Sequence, residues 1–189
     1  IEDTDKIQLE LRNIALWAIV DDNVALLDIY FAYNPFPEAG CIDGKFNLLE
    51  MAIRGSISPL QSELSVTDLT RHSSINCLER LIKVWKDHQF PFSTEHSELN
   101  GSLLALVLPH DMDAFAILIR MASLDPNELI YENRNGTKFC TTFLNRIISQ
   151  GATDLVAQAI RFGADPRSID DNGDSAYEIA LKFKNEHVI

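Results

Sequence analysis

Five histidines, three cysteines and 28 acidic residues are the side chains with which this chain could do proton-transfer, nucleophilic or metal chemistry. The histidines, at 72, 88, 96, 110 and 187, are scattered, and Cys41, Cys77 and Cys140 stand far apart. A zinc or other metal site needs its ligands at close, regular spacing, so no metal is predicted. His88 and His96 flank a proline turn and read as surface residues. Cys140 reads as a small apolar packing residue rather than a nucleophile, which would need an activated thiolate. The acidic groups Asp21-Asp22, Asp111 with Asp113, and Asp154 lack a histidine or metal partner and each precedes an apolar helical pattern. Carboxylates there cap free amides and meet the positive end of the helix dipole. The 8 glycines are spent on turns, and no phosphate-cradling loop is present. Neither a catalytic residue nor a cofactor is predicted.

The remaining function class is binding, and charge narrows the partner. Net charge is −12, from 28 acidic and 16 basic residues. Affinity for phosphate backbones and anionic lipid comes from clustered Lys and Arg, so nucleic acid and membrane are poor partners. A basic or mixed-charge protein suits the surface better. No apolar run approaches the ~18 residues needed to span a bilayer. Three widely spaced cysteines argue for a reducing compartment, hence a cytoplasmic chain. Asn100-Gly-Ser and Asn135-Gly-Thr match the glycosylation pattern, but a turn explains both Asn-Gly pairs.

Those turns recur. Asp43-Gly44, Asn100-Gly101, Asn135-Gly136 and Asn172-Gly173 place glycines 57, 35 and 37 residues apart. Pro35, Pro91, Pro126 and Pro166 precede them by 9, 10, 10 and 7 residues. Before each proline lies a helical stripe of apolar doublets: Leu26/Leu27 with Tyr30/Phe31, Cys77/Leu78 with Leu81/Ile82, Ala114/Phe115 with Leu118/Ile119, and Leu155/Val156 with Ala159/Ile160. The residue before proline avoids the α region, so each stripe ends in a turn. The unit is an Asn-Gly turn, a short helix, a tight turn, a second helix and a proline loop. An isolated Asn-Gly suggests a β-hairpin, but the flanking patterns read as helices and favour a two-legged finger.

Gly163-Ala-Asp-Pro166 and the stretch "NGDSAYEIALKFKN" at 172–185 resemble ankyrin repeats, with Gly173, Ser175, Ala180 and Lys184-Asn185 at matching positions. The resemblance is specific over 151–189, and earlier units share only spacing and doublets. None contains the family's Thr-Pro-Leu-His. It implies an all-α solenoid of about five helix-turn-helix units forming one domain over 1–189. The units fall at about 6–42, 44–99, 101–134, 136–171 and an incomplete 173–189. Helices are expected near Leu9–Val20, Asp22–Tyr33, Phe46–Arg54 and Ser74–His88, and a longer first helix is expected across "FCTTFLNRIISQ". An insertion at 55–74, rich in Ser and Thr, interrupts the second unit and reads as a tolerated loop. The chain starts at Ile1 and reaches Ile189 where another stripe should begin, so a monomeric module of a longer protein is expected.

Stacked units would align their fingers along one face, which in the ankyrin family holds protein partners. The expected contact residues are Glu38, Asp43, Lys45, Glu95, Glu98, Glu132, Arg134, Lys138, Arg167, Asp170, Asp171 and Asp174, a net acidic row. A rival reading makes the chain a substrate-recognition or regulatory segment of an enzyme whose catalytic domain lies elsewhere. Its divergent units also resemble those of effectors that intracellular bacteria deliver into host cells, which would place it in the host cytosol. Turnover by the isolated chain would favour the enzyme.

Overall fold

Helix ends organise this chain. The computed structural model describes residues 2–34, 41–42, 46–54, 73–90, 92, 102–108, 111–134 and 137–183. The chain divides into two compact units, Ile1–Pro91 and Phe92–Ile189. Most of the described elements are helical, in keeping with the all-α expectation, and two short antiparallel hairpins are added to them.

In the first unit α1 (Glu2–Val20) packs on α2 (Val24–Tyr33). The turn between them closes where Asp22 adopts φ 47°, with Asp21 N–H donating to Trp17 O at 3.0 Å and Asn23 N–H to Ala18 O at 2.7 Å. Asn23 then caps α2, its side chain accepting from Leu26 N–H at 3.2 Å. The expected cap, Asp22, instead serves a different helix. Its carboxylate accepts from Asn76 N–H at 3.1 Å and Cys77 N–H at 2.8 Å, at the start of α4 (Ile75–Asp87). Asn23 already occupies the cap position of α2, and the N-terminus of α4 has amides to satisfy. Between these pairs, β1 (Cys41–Ile42) meets β2 (Phe46–Asn47), which runs directly into α3 (Leu48–Arg54). The doublet stripe of α4 is buried as expected: Cys77, Leu78, Leu81 and Ile82 are all fully covered. Each such side chain contributes roughly 1.5–3 kcal/mol of burial.

The second unit holds a 3-10 helix (Leu103–Leu106), α5 (Met112–Met121), β3 (Leu129–Arg134), β4 (Thr137–Thr142), α6 (Phe143–Ser149), α7 (Thr153–Arg161) and α8 (Ala176–Lys182). Two expectations are corrected here. The stretch read as one long helix is a strand up to Thr142 followed by a seven-residue helix. Thr141 and Thr142 favour the strand as β-branched residues, and the Thr142 hydroxyl caps α6 by accepting from Asn145 N–H at 3.0 Å. The sequence Asn135-Gly136 accordingly lies between paired strands, with Leu129 opposite Thr142 and Arg134 opposite Thr137. Ile130 and Thr141, paired in that register, are both buried. After Gly101 only the short 3-10 helix stands where a first helix was expected.

The turns repeat in their hydrogen bonds as well as in sequence. At the end of α4, His88 N–H donates to Val84 O and Phe90 N–H to Trp85 O, around Gln89 at φ 57°. At the end of α7, Phe162 N–H donates to Gln158 O and Ala164 N–H to Ala159 O, around Gly163 at φ 96°. Ser123, at φ 59°, holds the same place after α5. The α1–α2 closure likewise recurs between α6 and α7: Gln150 N–H donates to Arg146 O and Ala152 N–H to Ile147 O, around Gly151 at φ 73°. Each closing residue satisfies orphan carbonyls at a helix end.

The insertion at 55–74 lies outside the described residues except for its last two, and these are anchored. Ser73 Oγ donates to Ile53 O, and Ser74 N–H donates to Ala52 O at 2.8 Å. The described chain on either side of 55–72 is thereby stapled together. Replacing 55–72 by a short Gly-Ser linker is expected to leave urea stability within about 1 kcal/mol, because loop closure depends weakly on length. Ser123→Gly is expected to stabilise the second unit by about 0.5–1 kcal/mol in the same measurement, by relieving a left-handed non-glycine.

Candidate functional site

The loops after the second helices form the candidate interaction site. In the first of two fully described copies, Asp125 Oδ1 accepts from Asn127 N–H at 2.9 Å and Asp125 O from Glu128 N–H at 3.0 Å. Forty residues later (165 − 125), Asp165 Oδ1 accepts from Arg167 N–H at 2.9 Å and Asp165 O from Ser168 N–H at 3.1 Å. Asn127 clasps the two loops together, donating from Nδ2 to Gly163 O at 3.0 Å and accepting from Asp165 N–H at 2.6 Å. Proline at the second position fixes φ for this turn, and the preceding Asp closes it through its side chain.

Beyond these turns the chain extends into finger legs that pair sideways. Asp171 N–H donates to Cys140 O at 3.0 Å, and Cys140 N–H donates to the Asp171 carboxylate at 2.7 Å. Leg 168–171 therefore borders β4. Asp170, 7% exposed, accepts on Oδ1 from Asn172 N–H at 2.9 Å and Asp174 N–H at 3.0 Å, and Gly173 closes the turn at φ 78°. Asp174 O accepts from Asn145 Nδ2 at 2.8 Å, and its carboxylate pairs with Lys182. That contact raises the Lys182 pKa. Ser175 and Glu178 close a capping box on α8, and the Ser175 amide and hydroxyl hold the Glu178 carboxyl below its usual range.

These facts revise the expected acidic row. Asp170 is buried and holds the finger turn together through its carboxylate. The carboxylates of Asp171 and Asp174 are engaged in internal hydrogen bonds, although Asp171 itself remains exposed. Arg167 is exposed. Glu132, Arg134 and Lys138 lie on the hairpin, where Glu132 is paired with Phe139, Arg134 with Thr137, and Lys138 with Asn133. Glu38, Asp43, Lys45, Glu95 and Glu98 lie outside the described residues. The sequence reading missed the apolar part of the legs. Leu129 is 46% exposed and Ile169, forty residues on, is 61% exposed, while their neighbours Ile130 and Asp170 are both buried. A signal was available in the sequence: both come three residues after Asp-Pro.

The Cys77 and Cys140 thiols are buried. Burial first, then the Asp22 charge and hydrogen bond beside it, push the Cys77 pKa up to about 12. Its sulfur donates to Ala18 O at 3.3 Å, so it packs rather than reacts. Cys140 is buried as expected, but on strand β4. Among the described residues no cluster of His, Cys, Asp and Glu could hold a metal ion, and no helix is long and apolar enough to cross a membrane. In comparisons with known proteins, no family model and no curated protein matches the chain.

Two outcomes test this assignment of roles. Asp170→Ala should lower urea stability by about 1–3 kcal/mol, the cost of leaving buried amides without an acceptor, with Asp170→Asn losing less. Cys77 should stay unreactive toward an aromatic disulfide at mildly alkaline pH in the native chain, and react only as fast as the first unit opens.

Proposed function

We propose that this chain is a divergent ankyrin-type array of helix pairs that binds a protein partner through its finger legs. The observation that carries this reading is the recurrence of one loop at a spacing of forty residues, with the same Asp-Pro turn and an exposed apolar residue on the same leg position. Such a loop needs no ordering when a partner arrives, because hydrogen bonds from Asp165, Asp170 and Asn127 already hold its backbone. The partner face then combines apolar contacts from Leu129 and Ile169 with charge from Arg167, Asp125 and Asp165, all exposed. A basic or mixed-charge protein complements it, given the net charge of −12. Three widely spaced cysteines, with Cys77 and Cys140 buried, agree with a reducing compartment, and we place the module in the cytoplasm on that ground. No reaction is assigned to the chain.

Site-specific photo-crosslinking from position 169 tests the reading. A partner captured there should bind about tenfold more weakly to Ile169→Asp, a loss of ~1.4 kcal/mol, while the helical circular dichroism stays unchanged. Arg167→Glu should change the salt dependence of that binding more than its strength at high salt. Equal affinity of wild type and Ile169→Asp for the captured partner would remove the finger legs as the binding face.

A further inference from the structure

The finger turn from Asp170 to Asp174 carries a linkage with chemistry of its own. Asn172 is followed by Gly173, and both are exposed. Where glycine follows asparagine, no side chain hinders the glycine nitrogen from reaching the asparagine carboxamide. In that reaction the Gly173 nitrogen bonds to Cγ of Asn172 and the Cγ–Nδ2 bond breaks, which releases ammonia and closes a cyclic imide. Water then opens the ring at either carbonyl and leaves aspartate or isoaspartate at position 172. The sum is amide and water giving carboxylate and ammonium, so no oxidant or reductant is needed.

The closed turn opposes that attack. The attacking nitrogen must first lose its proton, yet Gly173 N–H donates to Asp170 O at 2.9 Å. It must also swing toward the Asn172 side chain. The peptide on the other side of Asn172 is held as well, its N–H donating to Asp170 Oδ1 at 2.9 Å. Both peptide planes that flank Asn172 are thus fixed on one buried residue. The same Oδ1 accepts from Asp174 N–H, and Asp170 N–H donates to Asp174 O, both at 3.0 Å, so the loop closes on itself. The neighbouring carboxylates of Asp170, Asp171 and Asp174 further disfavour the amide anion that attack requires.

We propose that Asn172 is a deamidation site guarded by Asp170: it is silent while the finger turn is closed and converts to aspartate or isoaspartate when the turn opens. Such opening is local, as in hydrogen exchange, and leaves the flanking helices folded. Conversion runs one way. Isoaspartate routes the backbone through Cβ and Cγ, which lengthens it between two amides that Asp170 holds, and either product adds a carboxylate close to that of Asp170. A converted turn therefore does not reclose, and Ile169, the residue before Asp170, loses its fixed position. The chemistry is independent of the partner; only its consequence, permanent loss of one binding leg, rests on the function proposed above.

The test ages the full chain at mildly alkaline pH and follows Asn172 by mass spectrometry of the tryptic peptide Ser168–Lys182, in which it is the one asparagine. Conversion in the native chain should be at least about tenfold slower than in the chain unfolded by guanidinium. Asp170→Ala should speed native conversion about tenfold with the helical circular dichroism kept. Leu118→Ala, which weakens the same unit from its buried core, should speed it by about twofold at most. Equal rates in the native and unfolded chain, or equal acceleration by the two variants, would overturn the proposal. Should Asp170→Ala unfold, hydrogen exchange of the wild type decides: the Gly173 amide should be protected to about the same degree as Asn172. A protected Gly173 amide beside an unprotected Asn172 would sink it. The converted chain, separated by ion exchange, should exchange faster over Ser168–Lys182, and unchanged exchange there would remove the one-way step.

Discussion

One residue in the left-handed conformation at the end of a helix is the constraint on which the rest of this chain depends. Asp22 and Gly151 turn a first helix back onto a second, and Gln89, Ser123 and Gly163 turn a second helix out toward the fingers. At each, a helix stops after a fixed number of residues and the next segment leaves in one direction. Only because these closures repeat do the apolar stripes of neighbouring helices meet. Phe115 is an instance: it stacks on Phe143 and meets Phe162 edge-on, at 4.9 and 5.8 Å, so one side chain joins α5 to the first helix and to the loop end of the next pair. Arg120 lies over the Phe162 ring at 5.0 Å and closes the same cluster from outside.

Much of this was legible from periodicity, and the failures have physical causes. Stripes of apolar doublets located α2, α4, α5 and α7, because a helix needs one contiguous covered face wherever it is packed. The hairpin before α6 escaped because the run from Phe139 to Ile148 is apolar at both helical and strand spacings. Thr141 and Thr142 decide between them through the stiffness of β-branched side chains and the capping hydroxyl. Pro35, Pro126 and Pro166 follow Asn or Asp, whereas Pro91 follows Phe90. Matching Gln89 with Gly163 through the left-handed turn aligns Pro91 with Asp165, so proline simply stands one residue early in that loop.

The acidic residues were harder to read, since composition counts charges and cannot see what they accept. Asp22, Asp111, Asp165 and Asp170 all spend their carboxylates on backbone amides, at a helix start or inside a turn. Asp22 acts on α4, more than fifty residues away, a pairing that no local pattern reveals. Such carboxylates remain part of the net charge and contribute to the long-range field, but each has an oxygen already committed to the backbone. A surface that looks like an acidic recognition row thus separates into acids that build the fingers and a smaller set of groups left outside.

That separation changes what an interface here can consist of. A finger whose carboxylates are already occupied offers its exposed side chains on a backbone that does not relax, so Ile169 and Leu129 present apolar area at fixed positions. Fixed apolar area contributes to affinity through burial and loses little entropy on binding, whereas exposed ion pairs contribute little beyond steering. On the proposed reading, the fingers bear isolated apolar residues among charges and suit a partner that also stays soluble alone. Their selectivity then rests on electrostatic approach and a few fixed anchors.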